Sequence, residues 1–326
     1  MTEKELKEIF SSFNNKRVLI IGDAMIDCYM WGKIERMSPE APVPVVEIER
    51  HETRLGGAAN CALNIKSLGA EVILCSVIGN DNNGKKFEEL MNEANLSTKG
   101  ILISNHRKTT VKTRVISEEK HQLRTDDEDR HPITIESQFL NNTERLFKDV
   151  SVIILQDYNK GVLTPKIITS IIKKAKKLNI PTIVDPKKDN FLLFKNCDIF
   201  KPNLKEIKEG INIEFDDKND RELEKASSLL REKLNAECVL LTLSERGICI
   251  NTKKEFTHTP SYGGSVIDVS GAGDTVISVA SLLLAEGVSF NNISKISSLS
   301  GGIVCQKVGV VPIDKEELLT EAIKIF

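Results

Sequence analysis

The feature that most constrains the fold is a series of short apolar runs separated by stretches with helical spacing. Six such runs occur: "RVLIIGD" from residue 17, "AEVILCSVIG" from 70, "VSVIILQD" from 150, "IPTIVDP" from 180, "CDIFKPN" from 197 and "ECVLLTLSERG" from 237. Strands that are apolar along their whole length and alternate with helices are typical of a parallel sheet covered on both faces. The pattern therefore predicts an α/β fold with a central, mostly parallel sheet.

Several of these runs end in a polar residue, namely Asp23, Asp157, Asp185, Asn203 and Ser244. In open α/β sheets, ligands bind outside the carboxyl ends of the strands. We therefore expect these side chains to line one crevice. The alternative for each residue is that it starts a turn or caps a helix.

Two segments interrupt the alternation of strands and helices. Residues 27–54 and 107–127 alternate apolar and polar side chains, as half-exposed strands do. They predict a small accessory sheet inserted twice into the α/β body, which could serve as a lid, as a dimer surface or as both. Because exposed strand edges with apolar faces tend to be paired or covered, we expect a homodimer formed through these sheets.

Composition limits the partners and the compartment. The 326 residues carry a formal charge of −2, so no global field attracts nucleic acid or an anionic membrane. The seven cysteines include no C-x-x-C pair, which predicts reduced core thiols. The first residues, "MTEKELKEIFSSF", predict an amphipathic helix rather than a signal peptide, and no apolar run is long enough for a bilayer. We therefore expect a cytoplasmic protein.

The stretch "VIDVSGAGDTVIS", residues 266–278, concentrates small residues between two apolar runs. Gly271, Ala272 and Gly273 leave the backbone amides bare, and the residues after Asp274 predict a buried helix. A helix N-terminus with exposed amides binds anions. Taken alone, the stretch could also be an ordinary glycine-rich helix start with a capping aspartate.

Two long motifs resemble the ribokinase-like (PfkB) carbohydrate kinases. "GGAANCALNIKSLGAEVILCSVIG" is similar to the N-terminal glycine signature of that family and "DVSGAGD" to its C-terminal signature, in the expected order. "KPNLKE" supplies the Asn-x-x-Glu element of the family. Val269 and Val279 depart from the residues commonest in the broad family. The resemblance implies a ribokinase-like three-layer sandwich with a small β-sheet lid.

Longer stretches resemble one branch of the family. "GDAMIDCYMWGKIERMSPEAPVPVV" and "QDYNKGVLT" are similar to the kinases of D-glycero-D-manno-heptose 7-phosphate, which phosphorylate the anomeric hydroxyl to give the 1,7-bisphosphate. Many members of this branch are fused to a nucleotidyltransferase domain. Because the chain ends at Phe326, soon after the kinase-like "VGVVPI", we expect one kinase domain over residues 1–326 and no nucleotidyltransferase domain.

The resemblance also implies roles for individual residues. Asp274 corresponds to the catalytic base, and the amides of Gly271, Ala272 and Gly273 correspond to the anion hole for the transferred phosphoryl group. The residues expected at the sugar are Asp23, Asp27, Gly56, Gly57, Asn60, Asp157 and Lys160. The basic lid residues that could hold the phosphate of the substrate are Arg54, Lys112, Arg114 and Arg124, since alternation could place them on one face. For each of these, an ordinary solvated surface charge is the alternative.

The nucleotide side is expected to use ATP and Mg²⁺. The residues expected at ATP are Asp185, Lys187, Asn203, Glu206, Thr242, Ser244, Gly247, Asp268 and Gly309. Asn203 and Glu206 would act on Mg²⁺ largely through water. A requirement for a monovalent cation is left open. The alternative for Gly56 and Gly57 is a tight turn, and the alternative for Lys187 is a turn with a solvated lysine. Taken together, the residues of both sides predict a site for two phosphorylated small molecules.

Three functions stay open from the sequence. The first is the heptose 7-phosphate kinase, and the second is the same chemistry on ribose, fructose or a ketodeoxy acid. The third is a sugar-phosphate-binding regulator that has kept the fold and lost catalysis. Asp274 and the intact Gly-Ala-Gly argue against the third, because a pure binding protein needs no base.

Overall fold

The computed structural model describes residues 1–118, 120–262, 264 and 266–326. Its strands, numbered in chain order, are β1 (Arg17–Gly22), β2 (Ala24–Met37), β3 (Pro44–Gly57), β4 (Glu71–Gly79), β5 (Ile101–Ser104), β6 (Val111–Ser117), β7 (Lys120–Asp127), β8 (Val152–Gln156), β9 (Thr182–Asp185), β10 (Ile199–Phe200), β11 (Cys238–Thr242), β12 (Ile248–Thr252) and β13 (Phe256–Thr259). The helices are α1 (Glu3–Ser12), α2 (Ala58–Ser67), α3 (Asn82–Glu93), α4 (Glu136–Arg145), α5 (Pro165–Lys177), α6 (Leu204–Ile211), α7 (Asp220–Leu234), α8 (Ala272–Ala285), α9 (Phe290–Val304) and α10 (Lys315–Ile325).

The larger sheet has the strand order β13-β12-β11-β10-β9-β8-β1-β4-β5. Every pairing from β5 to β11 is parallel, and the hairpin strands β12 and β13 add an antiparallel edge. All six predicted runs form strands of this sheet. The predicted fold class is therefore confirmed.

The apolar core lies in two layers, one on each face of the larger sheet. In β1, Val18 and Ile20 pack in the layer formed with α1, α2, α3, α8, α9 and α10. Their neighbours Leu19 and Ile21 pack in the other layer, with α4, α5, α6 and α7. Because both faces of the strand are buried, its sequence is apolar at successive positions rather than at alternate ones.

The second sheet has the order β3-β2-β6-β7 and corresponds to the expected lid. β2 begins directly after Asp23, and β3 ends at Gly57, which is the residue before α2. The pairing of Ala24 with Gly57 closes this hairpin at its base. The two long strands of the lid therefore start and finish beside the carboxyl end of β1.

Two further features concern the expected compartment. All seven cysteines are free thiols, five of them buried. No helix in the described ranges is both long and apolar enough to cross a membrane.

Candidate active site

The glycine-rich stretch forms the start of α8. Gly271 adopts a left-handed conformation, with φ of 81°, just before the helix begins. The first i to i−4 bond of the helix runs from the Thr275 amide to the Gly271 carbonyl at 3.0 Å, whereas the Ala272 amide bonds to the Val269 carbonyl at 3.3 Å. The amides of Gly273 and Asp274 belong to the first helical turn, which has no intrahelical acceptors. This geometry suits an anion at the helix N-terminus.

Asp274 lies in this first turn and is only 8% exposed. Its Oδ2 accepts a hydrogen bond from Asn60 Nδ2 at 2.8 Å. Its Oδ1 accepts from the Tyr158 hydroxyl at 2.6 Å and from Gln156 Nε2 at 3.2 Å. The carboxylate is thus fixed by one side chain from α2 and by two from the end of β8.

Burial raises the pKa of Asp274 to about 6, although the hydrogen bonds from Tyr158 and Asn60 act in the opposite direction. A carboxyl with a pKa near 6 is ionised at neutral pH, yet it is a stronger base than a solvated aspartate. The pKa of the Tyr158 phenol is raised by its own burial and by the negative charge of Asp274. The phenol therefore remains a hydrogen-bond donor.

A second carboxylate lies next to this base. Asp185 Oδ2 is 3.0 Å from Lys201 Nζ and accepts from Gln156 Nε2 at 3.1 Å. A Cβ atom added at Gly273 would lie 3.7 Å from Lys201 Nζ and 4.0 Å from Asp185 Oδ2, both of them ends of side chains. The open space at Gly273 therefore faces a buried ion pair at the carboxyl ends of β9 and β10.

Asp23 and Asp157, two of the predicted sugar contacts, both accept hydrogen bonds from protein donors. Asp23 is 1% exposed, and its oxygens accept from the amides of Tyr158, Lys160 and Val162 at 2.9, 3.0 and 3.0 Å. Asp157 is equally buried and accepts from the Asn159 amide and from Asn190 Nδ2. Burial raises the pKa of both, that of Asp157 to about 7. Both carboxylates fix the loop after β8, because their oxygens bond to this loop and to Asn190, and their contact with the sugar stays a prediction.

The remaining residues of the sugar side form a compact group at the base of the lid. The Asp27 carboxylate lies against Gly56, where an added Cβ would be 2.2 Å from Asp27 Oδ2. Arg114 Nη1 donates to Asp27 Oδ1 at 2.6 Å. Gly57 has φ of 59°, a conformation that favours glycine at the turn into α2. Both the tight turn and the close approach of a carboxylate thus require this glycine pair.

The register of the lid places the four predicted basic residues on one face. Arg54 and Lys112 flank Asp27 on the neighbouring strands, and Arg114 pairs with Arg124 across β6 and β7. We call Arg54, Lys112, Arg114 and Arg124 the basic lid face. Each member has an acidic or carbonyl partner: Arg54 bonds to Glu52 and the Val310 carbonyl, and Lys112 and Arg124 share Asp126. Arg54 thereby ties the lid to the 309–310 turn.

Lys160 shares a carboxylate with a member of the basic lid face, since Lys112 Nζ lies 3.8 Å from Glu128 Oε2. The Lys160 ammonium is 2.6 Å from Glu128 Oε2, just beyond the end of β7. Its carbonyl accepts from the buried Arg107 at 2.5 Å. Lys160 therefore links the loop after β8 to the lid.

The predicted ATP residues fall into two groups. Asn203 and Glu206 form a capping box at the start of α6, with reciprocal bonds of 2.9 Å, and Glu206 also pairs with Lys187. Thr242 pairs with Asn203 through an isolated bridge. The remaining members are turn residues: Ser244 and Gly247 have positive φ, and Asp268 accepts from the Ser270 and Gly309 amides.

No cluster of three or more metal-ligating His, Cys, Asp or Glu side chains occurs among the described residues. Asn203 and Glu206 use their side-chain oxygens in the capping box. Oxygen donors that already hold hydrogen bonds fit contact with Mg²⁺ through its water shell rather than directly. The donor set is therefore compatible with the predicted water-mediated metal site.

Sequence reasoning missed three residues. Gln156 and Tyr158 contact Asp274, and Lys201 contacts Asp185. All three lie in stretches that were singled out, "QDYNKGVLT" and "KPNLKE". Their position at the ends of β8 and β10 was the available signal.

Comparison with known proteins gives relatives that carry the same name. The bifunctional protein HldE of Citrifermentans bemidjiense is 36% identical over 324 residues, which is 98% of this chain and 66% of that protein. The bifunctional protein HldE of Aliarcobacter butzleri is 39% identical over 303 residues, 92% of this chain and 63% of that protein. The chain thus spans slightly less than two thirds of the length of these relatives.

Solved structures share the fold at low identity. Phosphofructokinase-2 from Escherichia coli in complex with potassium has a TM-score of 0.77 and 18% identity, covering 94% of this chain and 99% of that one. Arabidopsis thaliana ribokinase complexed with ribose and ATP has a TM-score of 0.73 and 17% identity, covering 95% and 98%.

The sequence profile described as pfkB family carbohydrate kinase matches residues 15–316, nearly the whole chain. This match includes both glycine motifs, the base of the lid and the start of α8. The chain belongs to the pfkB family of carbohydrate kinases.

Proposed function

We propose that this sugar kinase transfers the γ-phosphoryl group of ATP to the anomeric hydroxyl of D-glycero-D-manno-heptose 7-phosphate. The product would be the 1,7-bisphosphate, with ADP as the second product. The observation that carries the substrate assignment is the basic lid face, which lies beside the sugar-side carboxylate Asp27. The resemblance to heptose 7-phosphate kinases and the relatives named HldE support the same assignment.

The chemistry follows from the position of Asp274. The anomeric oxygen of the sugar forms a bond to the γ-phosphorus, and an oxygen of the Asp274 carboxylate takes its proton. The bond between the γ-phosphorus and the bridging oxygen breaks, and its electron pair leaves with ADP. The amides at the start of α8 stabilise the charge that spreads over the transferred group. Gly273 leaves space for this approach.

The nucleotide would lie on the side of Asp185, Lys187, Asn203 and Glu206. Lys187 already pairs with Glu206 and would provide a point charge for the phosphates. When bound, Mg²⁺ would neutralise phosphate charge during transfer, and Asn203 and Glu206 would hold its water shell. The turns at Thr242, Ser244, Gly247 and Gly309 would border the nucleoside, and the Asp268 carboxylate would keep the last of these turns in place.

The sugar would lie between Asp274 and the lid. Asn60 bonds to Asp274 and stands beside Gly271, so it is placed to contact both the base and the reacting hydroxyl. Asp27 can accept hydrogen bonds from neighbouring hydroxyls of a polyol. Lys112 and Arg124 are the candidates for the sugar phosphate, because they already share one anionic group, the Asp126 carboxylate. A phosphate would replace that carboxylate between the same two cations.

We also propose that residues 1–326 act as one kinase domain, with a homodimer formed through the lid. Met37 and Val43, at the tip of the β2–β3 hairpin, are 57% and 51% exposed. Covering these side chains by a second copy would remove apolar surface from water.

The test is a side-by-side assay of ADP production with D-glycero-D-manno-heptose 7-phosphate, the unphosphorylated heptose, ribose, fructose and a ketodeoxy acid. The proposal predicts that the heptose 7-phosphate has the highest kcat/KM, with a phosphate at the anomeric carbon of the product in ³¹P NMR. A higher kcat/KM for an unphosphorylated sugar would assign the chain to a different substrate. Absence of ADP production with every sugar would favour the regulator.

A further inference from the structure

The shortest hydrogen bond to Asp274 comes from a residue that the sequence analysis did not assign to the site. The Tyr158 hydroxyl donates to Asp274 Oδ1 over 2.6 Å, which is shorter than the contacts from Asn60 and Gln156. A hydrogen bond to a charged acceptor is stronger than one between neutral groups. We propose that Tyr158 is a positioning residue of this kinase, whose hydroxyl orients the Asp274 carboxylate and keeps it ionised in a buried site.

The loop that carries Tyr158 is held from several sides. Asp23 accepts the amides of residues 158, 160 and 162, and Arg107 binds the carbonyl of Lys160. Lys160 in turn pairs with Glu128 at the end of the lid. These contacts fix the backbone at Tyr158 and over the residues that follow it. The phenol therefore reaches Asp274 without depending on a flexible segment.

The charged groups around Asp274 act on its pKa in opposite directions. Asp185 raises the proton affinity of the base, whereas Lys201 lowers it. Lys187 stands over the ring of Tyr158, with its Nζ 5.8 Å from the centroid, and Cys61 faces Asp274 from α2. Burial raises the pKa of the Cys61 thiol, so this group contributes no charge at neutral pH. Tyr158, Asn60 and Gln156 are the neutral side chains that donate to the ionised base, and Tyr158 makes the shortest of these bonds.

This proposal rests on the assignment of Asp274 as the base and predicts a shift in the pH profile. Tyr158→Phe keeps the ring against Lys187 and removes only the hydroxyl. Without that donor, Asp274 should bind its proton about tenfold more tightly, which moves the acidic limb of kcat/KM upward by roughly one pH unit. Above the shifted limb, kcat/KM should return to within a few-fold of the wild-type value. The KM for ATP should not change.

Two variants provide the comparison. Tyr262→Phe removes a phenol hydroxyl from a half-buried residue that packs against the core, so its acidic limb should match the wild type. Gln156→Met removes the longer contact to the same oxygen and should move the limb in the same direction by a smaller amount. The unfolding midpoint of each variant identifies a loss of fold, and a folded Gln156→Met can then replace a misfolded Tyr158→Phe.

The experiment uses whichever sugar the wild type phosphorylates best, so its outcome does not depend on the substrate being a heptose 7-phosphate. Asp274→Asn is assayed in parallel. Suppose that Asp274→Asn is inactive. If the acidic limb of Tyr158→Phe is then unshifted, or if the activity of Tyr158→Phe is equally low at every pH, the role of Tyr158 is overturned while the base assignment stands. If Asp274→Asn is active, the base assignment fails and the proposal for Tyr158 fails with it.

Discussion

The floor of the site and the basic lid face are built in different ways. On the floor, Asp274, Asp185 and Gln156 are nearly inaccessible to solvent, and the Gln156 amide donates to both carboxylates, at 3.2 and 3.1 Å. On the lid, Arg124 keeps 58% of its side chain exposed, and its partner Asp126 lies on the same strand. The floor is arranged before any ligand arrives. On the basic lid face, Arg124 has the most exposed side chain, whereas Lys112 and Arg114 are largely buried against their carboxylates.

This difference separates two tasks. A preorganised floor suits the transfer step, which needs the same base and anion site for any sugar. An exposed cation such as Arg124 suits selection among sugars, because its contacts depend on the groups that the substrate carries. Changes on the floor should therefore affect every substrate alike, and changes on the lid should discriminate between substrates.

The largest expected effect is that of Asp274→Asn. Removing the base should lower kcat by about two to four orders of magnitude for every sugar that the enzyme accepts. ATP binding, measured by calorimetry, should stay close to the wild type because the role proposed for Asp274 is at the sugar hydroxyl. Turnover near the wild-type rate would show that another group takes the proton.

Gly273→Val should have the next largest effect. The space at Gly273 can accept a Cβ, since its nearest neighbours are 3.7 and 4.0 Å away, so the fold should persist. The larger side chain would block phosphate from the amides, and the loss of one such donor costs about 10²–10³ in kcat. Gly273→Ala should lie between the variant and the wild type. Equal activity of all three proteins in the kinase assay would show that phosphate does not approach this loop.

A moderate and selective effect is expected for Arg124→Ala. If the guanidinium holds the sugar phosphate, kcat/KM for the heptose 7-phosphate should fall about tenfold to a hundredfold, through KM. Arg124→Lys should recover only part of this loss, because an ammonium lacks the fork of donors. Arg114→Ala is the matched contrast. It leaves the buried Asp27 without its partner, so we expect it to lose activity on unphosphorylated sugars as well.

The smallest effect concerns stability rather than rate. The pKa of Asp274 is raised from 3.8 to about 6 on folding, so its protonated form favours the folded state. This contribution is fully present below about pH 4 and is lost as the pH rises through 6, at a cost of ~3 kcal/mol if the shift is fully expressed. Asp274→Asn should therefore be more stable than the wild type at pH 8, by about 1–3 kcal/mol.

Urea unfolding at pH 5 and pH 8 measures this difference. The gain of the Asn variant should be larger at pH 8 than at pH 5. A variant that is less stable than the wild type at both values would show that the hydrogen bonds of the carboxylate outweigh its burial.

The larger sheet could be predicted because its residues are buried on both faces. Val18 to Ile21 are apolar at successive positions, and such runs leave little choice of structure. The edge strands β5 and β13 were not predicted. Each has only four residues and is partly exposed, so its apolar pattern is too short to distinguish a strand from a loop.

At the site, the glycine motifs marked the start of α8 and the turn into α2, because backbone geometry there restricts the residue type. The roles of the strand-end carboxylates could not be inferred in the same way. Asp23 and Asp27 are both aspartates near the end of β1, yet one binds three backbone amides and the other an arginine from the lid. The difference depends on where the loop after β8 runs, because that loop supplies the amides that Asp23 binds, and its position is set by tertiary packing.

The division between floor and lid is tested most directly by one ratio: kcat/KM for D-glycero-D-manno-heptose 7-phosphate divided by kcat/KM for the unphosphorylated heptose. It is measured in the wild type, Asp274→Asn and Arg124→Ala. The account predicts that Asp274→Asn lowers both values and leaves the ratio unchanged, whereas Arg124→Ala lowers the ratio about tenfold to a hundredfold. An unchanged ratio in Arg124→Ala, or a wild type that prefers the unphosphorylated sugar, would contradict it.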